Sequence, residues 1–449
     1  MPKRNIVILI ASCLACLAAW VARERGDHGH RFGEVMAAIE RSYIDDVDAE
    51  RLFDAAVDAA MSRLDEHSAY LRGADRTGLE SALDQQFGGV GLELSYDPIV
   101  RQPVVVSPVF DGPAWRAGIA AGDRIVAIDG IPTEGQPLRE SVEQLRGPPE
   151  HPVTVAIVSP AESVATLDPG VTLPAERARS ITLVRQIVEI ESVQGDRRGD
   201  NGRWQWMLEG EPGVAYVRIE SFGEQTAPEF TAALDEITAE PATQALIIDL
   251  RGNPGGLLRS AVAVCDALLD DGVIVSMRGD RGEAAERGGL VDVRRATAGA
   301  ALAEVPIAVL VDGLTASAAE IVAACLQDSG RAVVVGSRTF GKGTVQSIIP
   351  LSDGHGLLKL TTSEYLRPSR ENIHRRREDD DNATWGVRPD AGCEVTPTAE
   401  AIERLREWRR AREIVPARGT SPAVVTESAM SPRAIDAVLA RGLEAMAAR

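Results

Sequence analysis

Three apolar runs in the second half of the chain show no polar alternation, at 245–250, 306–311 and 332–335. A strand with one solvated face alternates, so an unbroken run of Val, Ile, Leu and Ala marks a strand buried on both faces. The first run leads through a glycine-rich turn into a helical pattern at 257–269. The second leads through a turn at Ser317 into another, ending near Leu326. With a strand at 213–219 and an amphipathic helix at 227–239, this alternation predicts βαβ crossovers and an α/β core.

The residues before this core are organised differently. From Phe32 to Gln85, Val35, Ile39, Leu52, Val57, Met61 and Leu64 recur at helical spacing, up to Leu64-Asp65-Glu66-His67-Ser68. From Phe87 to Gln186 short strands surround a small helix at 114–118 and a second at 141–146. Polar insertions fall at 195–202, 279–300 and 370–382, and the charge run 375–381 reads as a solvated loop. The tail beyond Pro416 carries one helical stretch, 432–447. A length of 449 residues holds two or three domains. The net charge of −19 argues against nucleic acid as a main partner, because phosphate binding needs clustered positive charge.

Lys3 and Arg4 precede an apolar run from Ile6 to Ala22, closed by Arg23-Glu24-Arg25. This run of seventeen residues, all apolar but Ser12, reaches the lower limit for a membrane span, and basic residues on the amino side favour keeping that end in the cytoplasm. An uncleaved anchor is the favoured reading. Cleavage after Ala19 and lipid attachment at Cys13 remain alternatives. Beyond the leader stand Cys265, Cys325 and Cys393, an odd number without metal-type pairing, which argues against a disulfide framework. Cys265 and Cys325 read as small core residues on apolar helix faces.

Of 48 basic residues only Lys3, Lys342 and Lys359 are lysine. In a chain that uses arginine almost everywhere, lysine at 342 suggests a need that arginine cannot meet: a desolvated amine can act as a general base. Phe340 and Val345 are the expected apolar cover. Ser317, twenty-five residues earlier, joins a buried strand to a helix, with backbone N–H groups behind it that can hold an oxyanion. The alternative is a capping box, Ser317 at the helix start with Glu320 three residues on. Asp249 to Gly256 brings a glycine-rich turn to the same sheet edge, so that Gly255, Gly256 and Ala318 become candidate oxyanion donors. Gln346 either orients the amine or is a solvent-facing strand residue. None of the six histidines has a partner pattern, and no Gly-x-Ser-x-Gly elbow is present.

Together these segments resemble the C-terminal processing, or tail-specific, proteases, a likeness running from about Phe32 to Pro397. Leu64-Asp65-Glu66-His67-Ser68 is similar to the family's Leu-Asp-Pro-His-Ser motif, with Glu66 in place of proline. Gly89-Val90-Gly91-Leu92 matches the PDZ loop that receives a terminal carboxylate, and Leu145-Arg146-Gly147 closes the second PDZ helix. Asp249 to Gly256 matches the Asp-Leu-Arg-x-Asn-x-Gly-Gly turn, and Phe340-Gly341-Lys342-Gly343 the lysine segment. Arg370 departs from the pattern, which has glycine there, and the 279–300 insertion lengthens the approach to the site.

The resemblance implies a crotonase/ClpP-like βαβ catalytic core with an inserted, mostly β PDZ domain and a helical amino-terminal region. The expected domains are 1–25 (anchor or signal), 31–85, 86–186 (PDZ), 187–400 (catalytic) and 401–449 (helical tail). Ser317 is the implied nucleophile, Lys342 its base, Gln346 an assistant and Arg146 a gating contact, with no metal and no cofactor. The implied partners are proteins with unstructured apolar carboxyl tails, met on the periplasmic side of the inner membrane. A homo-oligomer is compatible with this. Two other readings stay open: a non-catalytic PDZ adaptor, and an acyl-CoA enzyme on the crotonase-like fold.

Overall fold

The computed structural model describes residues 28–159, 178–199, 201–279, 290–351, 356–376, 380, 383–416 and 431–448. The leader, its alternative processing sites and most of the 375–381 charge run lie outside them. The chain divides into two compact units, Met1–Gly73 with Gln346–Thr361, and Ala74–Val345 with Thr362–Arg449.

In the first unit, helices at 28–42 and Ala49–Met61 form the expected helical region. Asp48 caps the second through the amides of Glu50 and Arg51. The helical run is then broken by a strand, Ala69–Arg72, which pairs antiparallel with Gly356–Lys359 in the register Ala69↔Lys359 to Arg72↔Gly356. Periodicity does not forecast that strand, because its partner lies almost three hundred residues away.

The second unit holds two folded bodies. The sheet of the α/β core has the order Val193–Gln194, Val214–Ile219, Ala245–Asp249, Ile307–Val311, Ala332–Gly336. The last four strands are parallel to one another, as the apolar runs require. Side chains alternate across it. Val217, Leu246, Ile248, Val309 and Val334 face Thr226–Ala239, Leu258–Asp266 and Ala318–Asp328. Tyr216, Ile247, Leu310 and Val335 face Ala437–Ala447, with Val438, Leu439 and Leu443. Cys265 and Cys325 are fully buried in the first of these cores. The tail's expected single helix is two, Pro432–Ile435 and Ala437–Ala447, because Asp436 breaks it and caps the second.

Two polar insertions contain structure that composition hides. In the first, Arg197–Arg198 pairs antiparallel with Trp204–Gln205. The insertion at 279–300 includes a strand, Leu290–Arg295, paired with Val273–Arg278. Arg370 adopts φ +67°, the left-handed region natural to glycine, the residue the family resemblance leads one to expect there.

The other body is a sheet ordered Leu92–Asp97, Gln102–Pro108, Arg124–Ile128, Pro152–Val158, Arg179–Val184, closed by the helix Leu138–Leu145. Val105, Ile125, Val155 and Leu145 fill its core. Gln86–Gly89 and Gln186–Glu189 pair as a two-stranded neck beside it. The tail also reaches this body: the Val415 amide donates to Ser107 Oγ at 3.0 Å, and the Trp115 indole donates to the Pro416 carbonyl at 2.9 Å.

Candidate active site

Ser317 sits where the strand Ile307–Val311 turns into the helix Ala318–Asp328, with φ +55° and ψ −117°. A non-glycine residue there is strained, and such strain persists only where the surroundings over-determine it. The backbone is that of a nucleophile elbow, built without flanking glycines. Ser317 is 6% exposed. Its hydroxyl is hydrogen-bonded to Tyr365, whose phenol burial pushes up to about 12 against the pull of that bond.

What fixes the elbow is Glu320, which is 0% exposed. One carboxylate oxygen accepts from the amides of both Ser317 and Lys342, each at 2.8 Å. The other accepts from Thr339 Oγ1 at 2.5 Å and the Gly341 amide at 2.7 Å. Burial pushes this carboxyl above its ordinary range, and the four donors, Thr339 first, pull against it. Glu320 therefore does more than cap a helix. A single oxygen atom joins the backbone of the serine to that of the lysine twenty-five residues on.

The lysine segment is braced from its other side. The Arg375 amide donates to the Gly341 carbonyl at 2.8 Å, and the Tyr365 amide to the Gly343 carbonyl at 2.8 Å. Arg338 and Arg375 stack on Trp385, at 3.5 and 4.4 Å from the ring centroid. Arg375 is exposed, as are Arg376 and Asp380 of the same run, yet it is stacked on that ring. Lys342 itself is half-buried. Phe340 is 49% exposed and does not provide the apolar cover expected of it.

The glycine-rich turn meets the elbow closely. The Ala316 amide donates to the Asn253 carbonyl at 2.9 Å, and Thr315 Oγ1 to the Leu250 carbonyl at 2.9 Å. A Cβ on Gly255 would lie 2.7 Å from Ser317 Cβ and 2.9 Å from the Ala318 nitrogen, and its φ is +96°. Only glycine fits. The Gly255 amide, however, donates to Asn253 Oδ1 at 2.8 Å, so it is not available as an oxyanion donor in this arrangement. The amides of Gly256 and Ala318 have no hydrogen-bond partner among the described residues. Asp249 and Arg251 of the same turn are ion-paired to the tail. Arg251 bonds both Asp249 and Asp436, while Arg409 bonds Asp249.

Gln346 belongs to the first unit, where its Nε2 donates to Thr361 Oγ1 at 3.1 Å. In the smaller body the amides of Val90 and Gly91 likewise lack partners among the described residues, and Gly91 has φ +72°. These amides lie between Gly89 and Leu92. Leu92–Asp97 is an edge strand, paired on one side only, with the helix Leu138–Leu145 beside it. That helix is capped by the Arg185 guanidinium, which donates to the carbonyls of Gln144, Leu145 and Pro152. Arg146 lies exposed over the Phe87 ring, 4.9 Å from its centroid.

Sequence reasoning missed Tyr365 and Thr339, and gave Glu320 only a capping role. Nothing local marks the first two. The glutamate could have been suspected because a fully apolar helix, Ala-Ala-Glu-Ile-Val-Ala-Ala-Cys-Leu, leaves it no solvated face.

A model of peptidase family S41 matches residues 213–392, and a PDZ-domain model matches 104–159. The chain is 37% identical over 348 residues to a carboxy-terminal-processing protease of Bartonella bacilliformis, spanning 76% of this chain and 72% of that one. It is 33% identical over 323 residues to a carboxyl-terminal-processing protease of Synechocystis, spanning 71% and 68%. The solved structure of a Bacteroides fragilis protein assigned to the S41 proteases aligns over 90% of this chain and 97% of its own, with a TM-score of 0.50 and 15% identity, a likeness of fold. The fold is thus that of an S41 peptidase carrying a PDZ domain. The chain belongs to the carboxy-terminal processing proteases of that family.

Proposed function

We propose that the chain is an exported endopeptidase that captures protein substrates by their carboxyl tails and cleaves them by a Ser-Lys mechanism. A tail adds as a strand to the free edge of Leu92–Asp97, its terminal carboxylate held by the amides of Val90 and Gly91. Ser317 Oγ attacks a peptide carbonyl while Lys342 Nζ takes the hydroxyl proton. The carbonyl oxygen becomes an oxyanion against the Gly256 and Ala318 amides. Lys342 then passes its proton to the departing amine, and water hydrolyses the acyl-Ser317 ester with the same amine as base. Gln346 assists Lys342, and Arg146 takes part in gating, as the family resemblance implies.

The observation that carries this reading is the Glu320 carboxylate, which ties the strained serine and the lysine segment to one buried anchor. A scaffold that only binds tails has no use for it. The purified enzyme is expected to release peptides from an unfolded protein with an apolar carboxyl tail. Amidating that tail should raise KM, by about tenfold for one lost charge-assisted contact, and Ser317→Ala should release nothing. Tail binding without cleavage by the native chain would instead identify an adaptor.

Export is inferred from Lys3 and Arg4 ahead of the apolar run 6–22. Among the described residues no helix is long and apolar enough to cross a membrane. The intact chain should therefore sediment with membranes, and a chain lacking residues 1–25 should not. Sedimentation of both would refute an anchor in that segment.

A further inference from the structure

The Leu64-Asp65-Glu66-His67-Ser68 turn has no part in the chemistry described so far, yet it is built around one strand residue. Pairing of Ala69–Arg72 with Gly356–Lys359 brings the turn beside Thr361. Ser68 Oγ accepts from the Thr361 amide at 3.1 Å and donates to Asp65 Oδ2 at 3.1 Å. Thr361 Oγ1 donates to Asp65 Oδ1 at 3.0 Å, and the His67 amide donates to the same oxygen at 2.8 Å. Gln346 Nε2 donates to Thr361 Oγ1.

The proton directions follow from the acid. Burial works against ionisation of Asp65, but the His67 amide, Thr361 and Ser68 together hold its carboxyl below the ordinary range. An ionised carboxylate only accepts, so both hydroxyl protons must point towards it. A threonine hydroxyl has one proton. With that proton committed to Asp65, Thr361 Oγ1 can only accept from Gln346. The NH₂ end of the carboxamide must therefore face Thr361, and a flipped amide would set Oε1 against an oxygen with no proton to give.

We propose that Thr361, polarised by Asp65 of the Leu64–Ser68 turn, is a positioning residue that fixes the orientation of the Gln346 carboxamide. The orientation presents Oε1, the end that can accept from an amine. This rests on the reading that Gln346 assists Lys342, and it gives the amino-terminal motif a share in the reaction without contact with substrate.

The test uses the full chain, with kcat and KM measured on an unfolded tail-bearing protein and thermal midpoints recorded in parallel. Gln346→Ala sets the reference loss in kcat. Thr361→Val should reproduce that loss, about tenfold for one misdirected hydrogen bond, with KM within twofold. Thr361→Ser should restore kcat. Asp65→Ala, which frees the threonine proton, should act like Thr361→Val and serves if the valine variant folds poorly. The Thr361→Val/Gln346→Ala double variant should be no slower than Gln346→Ala alone. If Gln346→Ala is slow while Thr361→Val and Asp65→Ala keep native kcat, the positioning role is wrong and the assisting glutamine stands. If Gln346→Ala itself keeps native kcat, the assisting role is wrong, and this inference goes with it.

Discussion

Replacing Lys342 with arginine is expected to abolish peptide release, lowering kcat by at least about 10⁴-fold, while the thermal midpoint hardly moves. Arginine keeps the positive charge and nearly the length of lysine. The position is half-buried and tolerates a long polar chain, and the backbone amide that Glu320 accepts is unchanged. What is lost is the ability to exist as a neutral base, since a guanidinium stays protonated in proteins. A variant with the charge and the fold but no turnover would separate proton transfer from mere electrostatic support. Lys342→Met, which has neither charge nor base, should be equally inactive. Activity within tenfold of native in the arginine variant would mean that some other group takes the proton from Ser317.

Glu320→Gln is expected to damage both stability and rate. All four partners of this side chain are donors, so each carboxylate oxygen satisfies two of them. A carboxamide has only one oxygen. Its NH₂ must face either the Ser317 and Lys342 amides or the Thr339 hydroxyl and the Gly341 amide. Either way, donors confront donors inside a site without solvent. The loss should be about 3 kcal/mol of stability, typical of breaking a buried charged network, and about 10² to 10³ in kcat as the serine and lysine segments separate. Equilibrium denaturation and steady-state kinetics on one preparation measure both. A stable variant with native kcat would show that the elbow is held by other contacts.

The core strands were legible because burial on both faces writes itself into composition. The runs at 245–250, 306–311 and 332–335 all become mutually parallel strands of one sheet. Ser317, Lys342 and the glycine turn stood out by type and spacing; Glu320 holds the serine and lysine segments, and the glycine turn meets the serine elbow through the Asn253 carbonyl. The supporting shell was not. Tyr365 reaches the serine from a strand forty-eight residues downstream, and Asn253 claims the Gly255 amide through a side chain whose direction only the folded turn decides. Arg375 is solvated as the basic run suggests, but nothing in the run announces the Trp385 ring it stacks on. Contacts made through long loops carry no period, and a period is what a single sequence offers.

The segment after the helix Ala399–Glu413 has a mechanical consequence. Val415 and Pro416 hold Ser107 and Trp115 through two hydrogen bonds, while Arg409 on that helix is pinned to Asp249 beneath the catalytic sheet. Any swing of the PDZ body away from the peptidase body must first release this clasp, at a cost of about 1 to 3 kcal/mol for the two bonds. Against a thermal energy of about 0.6 kcal/mol, that leaves the clasp closed in most molecules but within reach of a weak binding event.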